Sequence, residues 1–569
     1  MTLMFYDYEV FKYDWLVCCC DPIEQKWTVI YNNKAGLELF YEQHKSDIWV
    51  GYNSRSYDQY IMKAILLGFD PYEVNDWIIR QNRKGWEFSS EFNRIQLFNY
   101  DVMTSKGYGL KTLEGFMGND MQETSVPFNI DRKLTEEEMI ETIKYCKHDV
   151  EQTMEVFIRN KADFDAHINM IKTFKLPLKN ISRTQAQLSA MAIGCVRHDW
   201  FDEWEYSFVP TLQIQKYKDI IDWFDLQRLV KDYEASQTVD ICGVPHVIGW
   251  GGIHGAPLEP LHRKGLILHV DVTSFYPSIM IKYDMLSRNV QDKSVYKEIY
   301  DTRVALKKAG KKKEQAPYKI ILNATYGISK DRYSAAYDPR RANEVCVNGQ
   351  LLLIDLLEHL EGHCELIQSN TDGLIIQIPD TDEAFNDIDD ICYEWESRTG
   401  MKLGFDIITE IWQKDVNNYV FRFENGKLER KGAYVKELNE LDNDLPIINT
   451  ALVDAMTKKI PVDQTILQCQ DLKQFQKIVK VSSKYECGWH NGKQLSEKTF
   501  RVFASTDQND SFIGKMKSKK GKLVAEKFAN TPEHCFIYNG DVNKTKVPDK
   551  LDRNWYIELA QKRLKQFGM

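Results

Sequence analysis

The chain has 569 residues, a length that predicts about three to five domains rather than a single core. Hydrophobic residues make up 43% of it, which is ample for packed cores, and its net charge of −9 taken alone argues against a nucleic-acid partner, although a local basic groove is compatible with that total. Its 12 cysteines include no CxxC pair, which argues against a structural zinc site, and no apolar run is long enough to span a membrane.

The first 165 residues alternate between predicted strands and helices, which indicates an α/β domain. Met1–Tyr8 and Ile48–Tyr52 are short apolar runs typical of strands. A helix over 135–159 is predicted because Thr135 and Glu138 form a capping box ahead of apolar residues at helical spacing.

The rest of the chain predicts further strands and helices. Leu266–Val270 is a continuous apolar run, which indicates a buried strand. Helices over 293–309 and 314–327 flank a lysine-rich turn and form a helical hairpin. Glu365–Ser369 and Leu374–Ile378 form a β-hairpin. The remaining predicted elements are a buried helix over Leu351–Leu360, a cationic loop of Lys515, Lys517, Lys519, Lys520 and Lys522, and a final helix, Trp555–Phe567.

Four acidic residues in the N-terminal region are placed so that they can converge. Asp7 and Glu9 lie on the same side of a strand, and Asp58 follows in a loop. Tyr145 and Asp149 share one face of the predicted helix. Such oxygen ligands suit Mg²⁺, and two ions can activate a water against a phosphodiester while a tyrosine orients that water. The set predicts a nuclease site, although any one of these acids alone is more often an ordinary surface residue.

A second pair of acids, Asp271 and Asp372, predicts a nucleotidyl-transfer site. Asp271 follows the buried strand and Asp372 lies in the hairpin turn, so the pair can hold two metal ions. Tyr276 is bulky enough to lie under a sugar ring and to clash with a ribose 2′-hydroxyl. A core tyrosine is the simpler interpretation of that residue taken alone.

Three side chains of the second predicted hairpin helix share one face: Lys319, Asn323 and Tyr326. A cation, an amide and an aromatic ring on one stripe suit the phosphates and base of an incoming nucleotide. Arg303, on the preceding helix, adds a second cation. A lone lysine on a helix is more often part of a solvated face.

Together these segments resemble the motifs of family B DNA polymerases over residues 1 to about 435. The matching motifs, in the family's order, are Asp7-Tyr8-Glu9, Asn53 to Asp58, Tyr145 to Asp149, Asp271 to Ser278, Lys319 to Gly327, and Asn370-Thr371-Asp372. The resemblance implies template-directed DNA synthesis from dNTPs on a primed strand, with 3′→5′ exonucleolytic proofreading. The compact length further implies a phage or mobile-element origin.

The resemblance also assigns roles to individual residues. The implied metal ligands are Asp7, Glu9, Asp58 and Asp149 in the exonuclease, and Asp271, Asp372 and the position of Val272 in the polymerase. Tyr145 is implied to orient the attacking water. Implied DNA contacts are Lys111 with the single-stranded end, Gly251 and Gly252 with the template, and Tyr419 and Lys431 with the primer. Asp101 is interpreted as structural.

The expected fold class is a multidomain α/β and α+β protein, with a ribonuclease H-like exonuclease domain and a right-hand polymerase. The expected domains are 1–165 exonuclease, 166–245 connecting region, 246–292 first part of the palm, 293–329 fingers, 330–435 second part of the palm, and 436–569 thumb and C-terminal region. The spacings between the polymerase motifs leave no room for the insertions of protein-primed phage enzymes. We therefore expect a nucleic-acid primer and modest strand displacement.

The expected cofactor is Mg²⁺, two ions per active site, with Mn²⁺ as a substitute. The expected partners are primer-template DNA and dNTPs, and single-strand-binding protein, helicase or primase are the protein partners to test. Asp7 and Glu9 interrupt the N-terminus, so no signal peptide is predicted. A monomer in the cytoplasm, without a membrane partner, is expected.

Three departures from the family pattern keep alternatives open. Asn370 stands where the family has an aspartate, Ala324 replaces a serine, and Asn417-Asn418-Tyr419 lacks the usual lysine, which Lys431 can supply. The alternatives are a catalytically silent DNA-binding scaffold, a nuclease with a DNA-binding C-terminal half, and an RNA-making polymerase.

Overall fold

The computed structural model describes residues 2–519 and 522–569, so Met1 and Lys520 lie outside the described residues. The chain forms a mixed α/β protein with two compact units. The first unit comprises Met1–Arg183, Leu438–Ala451 and Pro461–Leu559, and the second comprises Thr184–Glu437, Leu452–Ile460 and Ala560–Met569.

The first unit contains a five-stranded sheet. In chain order its strands are β1 (Leu3–Val10), β2 (Trp15–Asp21), β3 (Lys26–Tyr31), β4 (Ile48–Gly51) and β5 (Phe98–Asp101). Across the sheet the order is β3-β2-β1-β4-β5. The first three strands pair antiparallel, whereas β1 with β4 and β4 with β5 pair parallel. Asp7 and Glu9 both lie in the C-terminal half of β1, and Glu9 is its penultimate residue.

Six helices accompany this sheet. They are α1 (Lys34–His44), α2 (Asp58–Leu67), α3 (Pro71–Asn75), α4 (Leu110–Met117), α5 (Glu136–Arg159) and α6 (Lys161–Thr173). The predicted capping box of α5 is present: the Thr135 side chain accepts from the Glu138 N–H, and the Glu138 side chain accepts from the Thr135 N–H. Helix α5 packs on β1 and β2, which brings one of its faces over Asp7 and Glu9.

The domain boundary expected at residue 165 falls inside α6. This helix belongs with the first sheet, because its residue His167 contacts the Tyr100 ring of β5 at a centroid distance of 5.5 Å. The first continuous stretch of the first unit therefore ends at Arg183. Thr184 and Gln187 form the capping box of the next helix directly after this position.

The second unit contains a nine-stranded antiparallel sheet of order β14-β13-β12-β9-β11-β10-β8-β7-β6. Its strands are β6 (Gln237–Ile241), β7 (Val244–Ile248), β8 (His254–Gly255), β9 (Leu261–Val272), β10 (Glu365–Asn370), β11 (Gly373–Ile378), β12 (Leu403–Asp415), β13 (Asn418–Phe423) and β14 (Leu428–Lys431). The predicted β-hairpin around Asp372 corresponds to β10 and β11. The predicted strand Leu266–Val270 is the centre of the longer β9.

Seven helices complete the larger part of the second unit. They are α7 (Gln185–Ala192), α8 (Lys218–Val230), α9 (Phe275–Lys282), α10 (Lys293–Lys308), α11 (Lys312–Lys330), α12 (Pro339–Leu360) and α13 (Asp382–Thr399). Helices α10 and α11 form the predicted helical hairpin. The predicted buried helix is the C-terminal half of α12, where Asp355 is fully buried and paired with Arg398 at 2.7 Å.

The C-terminal region adds α14 (Pro446–Lys458), α15 (Val462–Gln468), α16 (Arg553–Lys565) and two small sheets. One sheet has the order β15-β18-β21 and the other β17-β16-β19-β20. Their strands are β15 (Lys477–Lys480), β16 (Gly488–His490), β17 (Lys493–Leu495), β18 (Thr499–Ala504), β19 (Gly514–Lys519), β20 (Lys522–Lys527) and β21 (Cys535–Ile537).

The lysine-rich segment predicted as a loop is instead a β-hairpin. Lys515, Lys517 and Lys519 lie on β19, and Lys522 begins β20. The alternation of lysine with other residues has the period of two that a strand imposes, a signal the loop interpretation overlooked. Within the described ranges, no helix is both long and apolar enough to cross a membrane.

Candidate active sites

The first candidate site lies on β1 beneath α5. Strand alternation turns Asp7 and Glu9 to the same side, and a turn of α5 carries Cys146 towards them. One carboxylate oxygen of each acid and the Cys146 Sγ all lie within 4.8 Å of one another. Asp58, the first residue of α2, accepts a hydrogen bond of 3.1 Å from the Tyr8 N–H, which fixes it beside the same strand.

These acids form one electrostatic cluster. Burial raises the pKa of Asp7 and of Glu9 well above their usual values, and neighbouring carboxylates, including Asp58 and Asp149, raise both further. Burial also raises the pKa of Asp58 to about 7. Glu9 is 7% exposed, yet within the described part of the chain its carboxylate accepts no hydrogen bond and forms no ion pair. The charge of Lys111 lowers the pKa of Glu9 but does not offset the burial and the neighbouring carboxylates, and such a cluster of buried acids fits a site for a divalent cation.

Lys111 belongs to this cluster. Its Nζ lies 2.5 Å from Asp149 and 3.0 Å from Glu114, and 4.7 Å from the centroid of the Tyr145 ring. Burial lowers the pKa of Lys111, because it disfavours the charged ammonium. The carboxylates of Asp149 and Glu114 outweigh this effect and hold the pKa of Lys111 above its usual value. Glu114 is fully buried and also contacts His148 Nε2 at 3.3 Å. The Lys111 ammonium, which the family resemblance predicts to contact the single-stranded DNA end, is thus paired with the carboxylates of Asp149 and Glu114.

Asp101 has the structural role that the sequence suggested. Its carboxylate accepts three hydrogen bonds from backbone N–H groups: Asn53 at 2.9 Å, Arg55 at 3.1 Å and Met103 at 2.9 Å. These bonds fix the loop that leads into Asp58.

The second candidate site lies where β9 and β11 meet. Asp271 pairs with Gly373 across the two strands, and the Val272 N–H donates a 2.8 Å hydrogen bond to the Asp372 carbonyl oxygen. Burial and the Asp372 carboxylate raise the pKa of Asp271 to about 7. Asp271 and Asp372 thus place two carboxylates at adjacent strand ends, and the raised pKa of Asp271 means that its charged form is unfavourable without a counter-ion. Such a pair also fits a divalent cation. The Val272 side chain is aliphatic, so only its backbone carbonyl oxygen could contribute a ligand.

Two tyrosines border this site. The rings of Tyr276 and Tyr326 pack edge to face with centroids 4.7 Å apart. A Cβ at Gly349 would lie 2.9 Å from Cε1 of Tyr276, so the absence of a side chain there is what admits the ring. The structure therefore holds Tyr276 from two sides.

The predicted nucleotide contacts lie on α10 and α11. Arg303 donates a 2.6 Å hydrogen bond to the Ser274 hydroxyl, and Ser274 has a left-handed backbone with φ of 52°. Lys319 and Asn323 are exposed on α11. Lys307, one turn after Arg303 on α10, lowers the pKa of Asp271 by its charge.

The two glycines predicted to contact the template differ in their surroundings. A Cβ at Gly252 would lie 2.2 Å from the Thr371 hydroxyl, whereas a Cβ at Gly251 would meet nothing within 4 Å. Gly252 is thus required for packing against the residue that precedes Asp372. Only Gly251 leaves its backbone open to a ligand.

Tyr419 and Lys431, which the sequence could not place together, are partners across β13 and β14. The Lys431 ammonium lies 5.8 Å from the centroid of the Tyr419 ring. The Tyr419 hydroxyl donates a 3.1 Å hydrogen bond to Glu429. Lys431 thus lies beside Tyr419 on the neighbouring strand, although the Asn417-Asn418-Tyr419 segment itself contains no lysine.

Sequence reasoning missed several residues of these sites: Cys146, Glu114, His148 and Lys307. Cys146 and His148 lie within the Tyr145 to Asp149 motif, and Glu114 is one turn after Lys111, so helical spacing was the available signal. Lys307 was assigned to the turn, although it is four residues after Arg303 on the same helix.

Comparison with known proteins finds similarity among solved structures. No protein-family model matches the chain, and no curated protein sequence matches it. Among solved structures it is similar to the family B DNA polymerase from the hyperthermophilic archaeon Pyrobaculum calidifontis, with 13% identity and a TM-score of 0.43, over 100% of this chain and 78% of that chain. At this level the likeness decides nothing about activity, which has to be argued from the residues.

Proposed function

We propose that the chain is a DNA-directed DNA polymerase that also degrades DNA from the 3′ end at a separate site. The observation that carries this proposal is the convergence of Asp271 and Asp372 at adjacent strand ends, beside the cationic faces of α10 and α11. A nuclease with a passive C-terminal half does not account for that arrangement. A silent scaffold does not account for the raised pKa of Asp271, because acids kept together without a ligand only destabilise the fold.

In the polymerase site the two aspartates would hold Mg²⁺ or Mn²⁺. When bound, the cations would supply positive charge that activates the primer hydroxyl and stabilises the triphosphate oxygens. Arg303 and Lys319 are placed to bind the phosphates of the incoming nucleotide. The hydrogen bond from Arg303 Nη1 to the Ser274 hydroxyl orients the guanidinium beside the turn that follows Asp271. Lys307 offsets part of the negative charge around Asp271 before any ligand binds.

Selection of deoxynucleotides is assigned to Tyr276. Its ring cannot move away from a bound sugar, because Tyr326 packs on one side and Gly349 on α12 lies at contact distance on another. A ribose 2′-hydroxyl would meet a ring that is fixed in place. This rigidity favours the DNA polymerase over the RNA-making alternative.

In the nuclease site Asp7, Glu9, Asp58 and Asp149 would hold the cations that activate a water. Tyr145 is placed to orient that water, since it shares the α5 face with Asp149. Its ring contacts Lys111, which is itself fixed by two carboxylates, so the tyrosine is held in one position.

Contacts with the DNA backbone are assigned to three places. Gly251 lines a pocket of about 470 Å³ with Trp250 and Lys330, which suits the template strand. The Tyr419–Lys431 pair suits the primer. Lys517, Lys519 and Lys522 are exposed on the β19–β20 hairpin and suit duplex phosphates. Lys515 is less available, because it pairs with Glu526 at 3.3 Å.

The proposal is tested by extension of a labelled primer on a DNA template with Mg²⁺ and dNTPs. Asp271→Asn and Asp372→Asn each remove one carboxylate without changing side-chain size, and each should lower the incorporation rate by at least about a hundredfold. Asp406→Asn is the matched control, because Asp406 lies on β12 near Asp271 without being a proposed ligand. Normal extension by both site variants would refute the polymerase proposal. Absence of extension by the wild-type protein would favour the scaffold or the nuclease.

A further inference from the structure

A thiol lies inside the nuclease carboxylate cluster. Cys146 is fully buried, and its Sγ is 3.3 Å from the Asp7 carbonyl oxygen and 3.7 Å from the Asp7 Oδ2. The same sulfur lies within 4.8 Å of a Glu9 carboxylate oxygen. The carboxylates account for a site that binds hard cations, and nothing in the proposed nuclease chemistry uses a sulfur.

The distances match two ligands on one ion. A thiolate and a carboxylate bound tetrahedrally to zinc, at about 2.3 and 2.1 Å, would be separated by about 3.6 Å. The observed 3.7 Å between Cys146 Sγ and Asp7 Oδ2 agrees with that geometry.

A second observation also points to a ligand at this position. Glu9 is 7% exposed, and within residues 2–519 and 522–569 its carboxylate has neither a hydrogen-bond donor nor an ion-pair partner. A buried carboxylate without a partner is costly to keep, and it lies on the same side of β1 as Asp7 and next to the sulfur. Asp7, Glu9 and Cys146 thus present three convergent donors.

We propose that Asp7, Glu9 and Cys146 form a site for thiophilic divalent cations, such as Zn²⁺ or Cd²⁺, within the nuclease centre. Thiolate ligands select such cations over Mg²⁺, whereas oxygen ligands alone do not. On binding, the S–H bond breaks, the proton leaves to solvent, and the sulfur lone pair forms the bond to the cation. The site gives the nuclease a sensitivity to soft metals that the polymerase site, which has no cysteine among its proposed ligands, lacks.

The consequence for activity rests on the proposed nuclease function, but the binding itself does not. A soft cation bound to Cys146 would also be bound by Asp7 and Glu9. These two carboxylates would then not be free to bind Mg²⁺. Low concentrations of Zn²⁺ or Cd²⁺ should therefore inhibit degradation of single-stranded DNA and leave primer extension less affected.

The direct test is titration of the full-length protein with Cd²⁺, followed by the ultraviolet thiolate-to-cadmium charge-transfer absorption. Cys146→Ser should remove this band for the tightest site and weaken Cd²⁺ binding by at least about tenfold. Cys392→Ser is the matched control, because Cys392 is also a buried cysteine but lies on α13 of the second unit. That variant should retain the band. Retention of the band in Cys146→Ser, or its loss in Cys392→Ser alone, would overturn the proposal.

Cadmium NMR of the wild-type protein uses no substitution, so a folding defect in a variant cannot affect its interpretation. A resonance shifted in the direction typical of sulfur coordination supports the site, and one typical of oxygen ligands only overturns it. The two proposals fail differently. A sulfur-bound cadmium signal in a protein without nuclease activity refutes the nuclease and keeps the metal site, whereas an active nuclease without that signal does the reverse.

Discussion

The backbone N–H of Val272 donates a 2.8 Å hydrogen bond to the carbonyl oxygen of Asp372. This bond joins the end of β9 to the turn between β10 and β11. The two acidic residues of the second site are therefore placed by main-chain pairing, which side-chain substitutions leave intact. Substitutions that move the turn should affect catalysis more than those that change the surface around it.

Gly252→Ala is expected to displace this turn. The added methyl group would lie 2.2 Å from the Thr371 hydroxyl, next to Asp372, so the turn has to shift. A shift of about 1 Å can lower a rate by roughly a hundredfold, and we expect a loss of that order in the rate of nucleotide incorporation at saturating DNA.

Gly251→Ala provides the comparison, because its methyl group meets no protein atom within 4 Å. Any loss it causes has to arise from bound DNA and should appear as weaker DNA binding. Equal losses of the saturated incorporation rate in both variants would contradict the packing role of Gly252.

Tyr276→Ala should reduce discrimination against ribonucleotides by roughly tenfold or more, which corresponds to about 1.4 kcal/mol. The ring that blocks a 2′-hydroxyl is fixed by Tyr326, and the alanine leaves an open space. Single-nucleotide incorporation with paired dNTP and rNTP measures the ratio of kcat/KM values. Tyr276→Phe keeps the ring and should keep the selectivity, and an unchanged ratio in Tyr276→Ala would exclude the assigned role.

Arg501→Met should destabilise the first unit by about 3 kcal/mol or more. The Arg501 side chain is fully buried and donates to the Asn119 carbonyl oxygen at 2.8 Å and to the Gln476 side chain at 3.0 Å, so its loss leaves buried acceptors without donors. Amide hydrogen exchange of β18, measured by mass spectrometry, should speed up accordingly. Lys493→Met, at an exposed position on β17, should stay within about 0.5 kcal/mol of the wild type.

The ion pair between Arg288 and Asp202 should give the second unit an acid-dependent stability. Hydrogen bonds from Arg288, at 2.7 and 2.8 Å, lower the pKa of Asp202 to about 2. A carboxylate with a pKa below its unfolded value of about 3.9 stabilises the fold above that pH and loses the contribution as pH falls towards 2.

Asp202→Asn should therefore be less stable than the wild type by on the order of 1 kcal/mol at pH 5, and the difference should shrink between about pH 4 and pH 2. Chemical denaturation at a series of pH values measures it. A difference that stays constant or grows on acidification would show that the pair is not responsible.

Local sequence signals predicted the elements that carry the sites. The capping box of Thr135 and Glu138 gave the start of α5, and the alternation of Asp7 and Glu9 gave their common side. The β10–β11 hairpin was visible because two apolar runs flank a turn sequence. In each case the information lies within a few neighbouring residues.

Features set by packing between distant segments could not be predicted. The register of α5 on β1 decides that Cys146 faces Asp7, and no spacing in the sequence contains that register. The pairing of Tyr419 with Lys431 depends on the length of the turn between β13 and β14. The first continuous stretch of the first unit likewise extends to Arg183 because α6 packs on β5.

The separation of the two carboxylate clusters is tested most directly in one reaction, in which a labelled primer-template is incubated with Mg²⁺ with and without dNTPs. Primer lengthening and shortening are measured for Asp271→Asn and for the double variant Asp7→Asn/Glu9→Gln. We expect Asp271→Asn to shorten the primer but not extend it, and the double variant to extend it but not shorten it. Loss of both reactions in either variant would contradict two independent sites.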